Sequence, residues 1–409
     1  MLPAMEFKTK INRENCVGCF ACAQVCPKKC ISAERDELGF LFPKFDADLC
    51  VDCGLCASVC PANRESLSNI SAHIVDKAYS AVSKDRRILK ASSSGGAFSA
   101  IVSEFCDGDT LIFGAKFGEN FSAEIDCVKG AENIAPFRGS KYVQAYSVDS
   151  LKKTAEFLKS GGRVLYSGTP CQIAALRLFL KRDFENLLTV DVSCHGVASP
   201  EAFKKFISAL EKKFGKKIVK YSFREKSRLF FKKNAQSSSA EFSDGGRKVF
   251  FKDDFFKAFL LNIMLRESCY DCPFASRSRY SDISLADFWG IELIDEKLDM
   301  GDGVSLLTPN SPKGKSIVER LDSRMNLRRR EVEPSLRWNG GFNAPVKRNI
   351  LRGRMSEIIK SEDAKFLSEL KILAKTKTSA REKIVSILET ALPRPIFNFI
   401  KKVLCKRGK

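Results

Sequence analysis

One cysteine spacing, present twice, constrains this chain more than any other feature. Cys16, Cys19, Cys22 and Cys26 are followed by Pro27, and Cys50, Cys53, Cys56 and Cys60 repeat the pattern with Pro61. Three thiolates at every third position wrap one iron–sulfur cube on a tight loop, while the fourth, followed by proline, points to a neighbouring cube. The spacing predicts that Cys16, Cys19, Cys22 and Cys60 hold one 4Fe-4S cluster, and that Cys50, Cys53, Cys56 and Cys26 hold a second. Gly18, Ala21, Gly54 and Ala57 are small enough to let the backbone approach and offer amide hydrogens to the sulfides. Zinc also accepts four thiolates, but its sites favour separated CxxC pairs over a continuous run. Cys30 has no partner in the pattern, and we read it as structural.

The rest of the chain sets the context for these thiols. With 409 residues and 44% apolar side chains, two or three domains with a sizeable core are expected. No uncharged apolar run reaches the roughly 18 residues of a membrane span, and the start lacks the basic-then-apolar order of an export signal. Sixteen cysteines in such a chain point to metal ligation or redox work in the cytoplasm rather than to disulfides. The net charge of +20 is concentrated at the C-terminal end, where residues 347–409 carry 17 Lys and Arg against 6 acids. That tail suits an acidic electron carrier or an anionic substrate better than nucleic acid, and a solvated helical face or a peripheral membrane contact stays open.

Pattern along the chain divides it into three parts and predicts an α+β protein. Residues 1–72 are cysteine-dense, with short segments, and resemble a two-cluster ferredoxin domain in which the insertion 36–48 adds a strand or hairpin. Residues 73–335 alternate apolar strands with amphipathic runs: strands at 110–115, 163–166 and 187–192, and helices at 151–159 and 172–180, as in a mixed α/β domain. The stretch 223–251 reads as a β-ribbon. Residues 336–409 read as a basic, mainly helical extension.

No G-x-G-x-x-G follows a strand, and Gly314-Lys315-Ser316 has Pro309 where a P-loop needs glycine, so neither phosphate motif is supported. Ser92, Ser93, Ser94, Gly95 and Gly96 instead precede an apolar-periodic run at 97–105. They can present hydroxyls and free amides to a pyrophosphate at a helix N-terminus, or form a bare serine cap. Further on come Phe137-Arg-Gly-Ser-Lys-Tyr-Val-Gln144, Tyr166-Ser-Gly-Thr-Pro-Cys171-Gln172, Cys194-His195-Gly196, and Cys269-x-x-Cys272 followed by Ser281-Asp-Ile-Ser-Leu-Ala-Asp-Phe-Trp-Gly290. In this order they resemble the coenzyme F-420 hydrogenase/dehydrogenase beta-subunit family.

The resemblance implies an FAD enzyme that passes electrons between iron–sulfur clusters and coenzyme F-420 or a related organic acceptor, in surface-glycan or secondary metabolism among the alternatives. It implies that residues 92–96 hold the FAD phosphates and that Lys141 and Gln144 face the flavin, with Thr169 and Gln172 completing the site. A cation at the pyrimidine edge would stabilise the anionic hydroquinone, which gives Lys141 a role beyond that of a loop lysine. Cys171, Cys194, Cys269 and Cys272 fall in the resembling segments and could hold a third 4Fe-4S cluster, a zinc, or remain free thiols at the flavin. Of the two histidines, His195 could deliver a proton, hydrogen-bond a cluster sulfur or serve structure, and His73 has no assigned chemistry. Asp282, Asp287 and Trp289 match the family's closing motif, where the carboxylates order the cluster loop. Cys106, Cys127 and Cys405 have no motif around them. The expected partners are a ferredoxin or another one-electron carrier and an oxidoreductase subunit. A pure electron-transfer subunit is the competing reading.

Overall fold

The computed structural model of the protein describes residues 12–229, 232–251, 253–298 and 303–374. The cysteine-dense segment consists of short elements because left-handed residues punctuate it. Helix α1 (Ala21–Val25) starts behind Phe20 at φ 57°. Strands β1 (Ile31–Arg35) and β2 (Leu41–Phe45) then form an antiparallel hairpin, so the expected insertion is a hairpin turn plus its second strand. Helix α2 (Leu55–Ser58) starts behind Gly54 at φ 73°. Helix α3 (Arg64–Leu67) ends the segment, its N-cap Asn63 accepting from the Glu65 N–H.

An alternating region follows: β3 (His73–Ile74), β4 (Ala78–Ser83), α4 (Arg86–Ala91), α5 (Ala97–Phe105), β5 (Leu111–Phe117), β6 (Ala123–Lys129), α6 (Ser150–Lys159), β7 (Val164–Gly168), α7 (Pro170–Leu180) and β8 (Leu187–Val192). Helix α8 (Pro200–Phe214) leads into a three-stranded antiparallel sheet, β9 (Ile218–Leu229), β10 (Lys232–Phe242) and β11 (Arg247–Phe251), and then α9 (Asp254–Leu260). The chain returns through β12 (Ser278–Arg279), which pairs with β3, and then β13 (Ile283–Asp287), α10 (Ile291–Ile294), β14 (Ser305–Pro309), α11 (Pro312–Glu319), β15 (Met325–Arg330) and α12 (Val332–Leu336). Helices α13 (Arg354–Ile359) and α14 (Asp363–Leu373) close the described chain.

The main sheet has eight strands in the order β15-β4-β14-β13-β8-β7-β5-β6. Four adjacent strands, β13, β8, β7 and β5, run parallel, and the remaining pairings are antiparallel. Parallel strands covered on both faces read as unbroken apolar runs, and Val164, Leu165, Leu187, Leu188 and Val190 are all fully buried. Ligands in sheets of this kind bind outside the carboxyl ends of the parallel strands. Here those ends are Gly168, Val192 and Asp287.

The three-stranded sheet packs Tyr221, Phe223 and Phe242 against α8 and α9. Met355, Ile358, Phe366 and Leu370 of α13 and α14 enter the same core. At about 1.5–3 kcal/mol for each fully buried large apolar side chain, this holds the chain to the core as far as α14. The sequence marks an extension from residue 336, but the described part of that stretch is an integral layer, and residues 375–409, with Cys405 and most of the basic tail, lie outside the described residues. Among the described residues no helix is long and apolar enough to cross a membrane.

Candidate functional site

The two N-terminal cysteine runs come together in crossed sets. Burial pushes the Cys19 and Cys22 thiols well up, and the charges of Cys60 and Cys16 beside them add to it. Cys60 is pushed up by burial to about 12, with Cys16 close by. A separate cavity is lined by Cys26, Cys50, Cys53 and Cys56. Thus Cys60 from the second run stands with the first, and Cys26 from the first stands with the second. Thiols this buried and this close resist ionisation unless a cationic centre takes their charge, so the donor set fits a metal group. Among the described residues no three His, Cys, Asp or Glu side chains gather at the spacing of a single ion. Four thiols spread around a cavity are suited to a cube, whose irons stand at separate corners.

The same region departs from expectation at two residues. Cys30 is buried, but its sulfur lies 3.4 Å from that of Cys26 and lines the second cavity as a fifth thiol. Gly18, at φ 69°, is confined for a further reason: a Cβ there would stand 2.0 Å from Nε2 of Gln144 and 3.0 Å from an Arg266 nitrogen. Its missing side chain lets the first cysteine loop rest on the larger domain. At Gly54 nothing lies within 4 Å of a Cβ, so the positive φ alone accounts for that glycine.

The larger cavity lies at the carboxyl ends of the parallel strands and measures about 370 Å³, within the range of roughly 300–1,000 Å³ usual for cofactor sites. Its walls bring together Ser92, Ser93, Ser94, Gly96, Lys141, Gln144, Thr169, Gln172 and His195 with Cys171, Cys194, Cys269 and Cys272. Cys171 opens α7 behind β7, Cys194 follows β8, and Cys269 and Cys272 sit on the turn after α9. Burial pushes Cys171 to about 12 and Cys269 to about 11, and each feels Cys272. Cys194 is raised well above the ordinary thiol range, by burial and then by Cys269, Cys171 and Cys272. Four thiols from three loops have thus converged on one wall.

The serine-rich segment proves not to be a serine cap. Gly96, at φ 87°, is the N-cap of α5, and no side chain caps that end. Ser92 donates to Ile88 O at 2.7 Å, Ser94 donates to Val304 O at 2.9 Å, and Ser93 accepts from the Ser140 N–H at 3.1 Å. Gly95 is squeezed between β4 and β14, its N–H donating to Ser305 Oγ at 2.9 Å. The first N–H groups of α5 therefore face the cavity without a side-chain acceptor, as an anion site requires.

Lys141 also lines the cavity, its Nζ donating to Pro136 O at 2.8 Å and Arg138 O at 2.9 Å, while burial pushes its ammonium down to about 7. Gln144 is buried and accepts from Arg266 at 2.9 Å. Thr169 and Gln172 reach the cavity but are committed elsewhere. They form a reciprocal capping box on α7, with Gln172 Oε1 accepting from the Thr169 N–H at 2.9 Å, and Thr169 Oγ1 lies 3.1 Å from the Cys171 sulfur. Their part in the site is to fix the turn that presents Cys171.

His195 Nε2 lies 2.7 Å from Asn262 Oδ1, its ring packs 5.0 Å from that of Phe259, and burial lowers its pKa. His73 pairs with Arg279 in the β3–β12 ladder, away from the cavity. Asp282 is buried behind the sheet, accepting from Thr189, Ser311 and Arg177, so it clamps β8, β13 and α11 rather than meeting a ligand. Asp287 does line the cavity and pairs with Arg224 at 2.6 Å, with Trp289 under that guanidinium. Arg266 and Arg224 belong to the site, and nothing in the sequence singles out either among the chain's many arginines. The nearest signal is that Arg266 stands three residues before Cys269.

Residues 161–335 match the family described as the C terminus of the coenzyme F420 hydrogenase/dehydrogenase beta subunit, and residues 15–64 match the 4Fe-4S dicluster domain. The chain thus carries a segment similar to an oxidoreductase family and a segment similar to an iron–sulfur domain. No curated protein matches it. Among solved structures it is similar to a chain of the F420-reducing [NiFe] hydrogenase complex from Methanosarcina barkeri, with 16% identity, a TM-score of 0.44, and coverage of 79% of this chain and 94% of that one.

Proposed function

We propose that this protein is a cytoplasmic iron–sulfur flavoprotein that exchanges electrons between ferredoxin-type clusters and an FAD in the large cavity, with coenzyme F-420 or a related organic molecule as hydride partner. One observation carries the reading: a single cavity is walled by an uncapped helix end, four converged thiols and, through Val17, the first cysteine loop. When bound, clusters of this type pass single electrons and a flavin exchanges them for hydride pairs, which gives a reason for both to share one chain.

The protein's own residues divide the work. Cys53 is exposed, so the set with Cys26, Cys50 and Cys56 lies where a one-electron carrier can approach. The set with Cys16, Cys19, Cys22 and Cys60 lies inward, against the cavity wall. The N–H groups at Gly96 and Ala97 receive the pyrophosphate, with the helix dipole behind them. Lys141 provides positive charge in the same cavity, and Gln144, held by Arg266, orients the ring system. Leu285, Val192 and Phe274 exclude water from the inner wall. His195, fixed by Asn262, can hold a proton at its other ring nitrogen.

Anaerobic purification with iron, sulfide and flavin quantified tests the reading. Roughly twelve iron atoms and one FAD per chain are expected. Roughly eight iron atoms with no flavin, even after incubation with FAD, would leave a pure electron-transfer subunit.

A further inference from the structure

Three arginines are buried in the described chain, and one of them differs electrostatically from the rest. Arg224 pairs with Asp287 at 2.6 Å, and Arg279 stands 3.7 Å from Asp191. Arg266 is only 1% exposed, yet among the described residues no carboxylate lies at ion-pair distance from it. Its donors go to neutral acceptors: Nε to Cys16 O at 2.6 Å, one terminal nitrogen to Gln144 Oε1 at 2.9 Å, and the other to Leu41 O at 3.1 Å. Phe42 packs 4.1 Å from the guanidinium carbon, and Gly18 leaves room for its edge. Asp36, which feels the Arg266 charge, is occupied by the Leu38 and Phe40 N–H groups, and Arg13 is paired outward with Glu34. A buried charge without a counter-charge is costly.

We infer that the counter-charge is the metal group held by Cys16, Cys19, Cys22 and Cys60, and that Arg266 sets the reduction potential of that group above that of its neighbour. The inference rests on the cluster reading of those thiols. A cube with four thiolates is a dianion that becomes a trianion on taking one electron. The transfer moves one electron from the outer set to the inner set, with no proton and no bond made or broken. The inner set gains negative charge beside a fixed cation in a dry site. The outer set has only the exposed Lys28 and the exposed Asp52 beside its cavity, both screened by water. Arg266 thus makes transfer downhill toward the cavity, and through Gln144 it links the inner set to the ligand there.

Attraction of unit charges over about 10 Å at an effective dielectric near 20 changes a one-electron equilibrium by at least tenfold, about 59 mV. The test is an EPR-monitored redox titration of the anaerobic full-length protein, with the N-terminal signals assigned by Cys22→Ser and Cys53→Ser. Wild-type protein should show the inner signal at the higher potential. Arg266→Met should lower that signal by tenfold or more in its reduction equilibrium and leave the outer one in place, and Arg266→Lys should keep it within about threefold. Equal wild-type potentials, an unmoved inner signal in Arg266→Met, or a shift confined to the outer signal would each overturn the inference. Where neither variant assembles, the wild-type order decides. Absence of any cubane signal or iron would instead remove the cluster reading itself.

Discussion

Raising the pH from 7 to 9 should weaken FAD binding to this protein about 50-fold, and a Lys141→Gln variant should show no such fall. The reasoning starts from the ammonium of Lys141, which burial pushes down to about 7 while two carbonyls accept from it. Above pH 7 Lys141 in the ligand-free site therefore loses its positive charge. An anionic ligand restores it and brings the group back toward the ordinary lysine value of about 10.4, so binding takes up a proton. The affinity then falls as (1 + 10^(pH − 7))/(1 + 10^(pH − 10.4)), about 2 at pH 7 and close to 100 at pH 9. The sign for stability follows from the same shift. Between about 7 and 10.4 the unfolded chain binds the extra proton, so the ligand-free protein gains stability with rising pH in that window, and the variant lacks this component. Flavin fluorescence quenching on the deflavinated protein at several pH values measures the affinity. A pH-independent wild type, or an equal slope in Lys141→Gln, would refute the assignment of the cation to Lys141.

Other substitutions probe separate parts of the argument. A Cβ on Gly95 would stand 2.1 Å from Ala81 O and 2.6 Å from Ser305 N, so Gly95→Ala should cost about 1–3 kcal/mol and impair flavin retention. Gly108→Ala, where nothing lies within 4 Å of the new carbon, should leave the thermal midpoint unchanged or slightly higher. Asp282→Ala strips acceptors from Thr189, Ser311 and Arg177 in a dry interior, and chemical denaturation should show a loss of roughly 3–5 kcal/mol. The double variant Cys171→Ser, Cys272→Ser should lose about four iron atoms per chain. Unchanged iron content would remove the third cluster.

Much of the fold could be read locally. The expected strands at 110–115, 163–166 and 187–192 correspond to β5, β7 and β8, the helices at 151–159 and 172–180 to α6 and α7, and the ribbon at 223–251 to the sheet of β9, β10 and β11. Each carries its signal within its own span, as an apolar run, a helical period or an alternation. From residue 336 on, charge density shows only what faces solvent. Met355, Ile358 and Phe366 on the inner faces of α13 and α14 belong to the core.

The sequence alone determined the chemistry of the N-terminus, since eight thiols at cluster spacing are a local property that no distant packing changes. It also determined which short segments matter, through their order. Tertiary structure decided which of those segments do what. Thr169 and Gln172 turned inward as a cap, Gly96 left α5 open, Cys30 came to line the second cavity beside Cys26, and Arg266 came to lie under the Cys16 loop, 250 residues away in the chain, with no carboxylate at ion-pair distance among the described residues. Hydrogen bonds and charge balance of this kind depend on which groups meet after the chain has closed on itself. A linear pattern records only which groups are present.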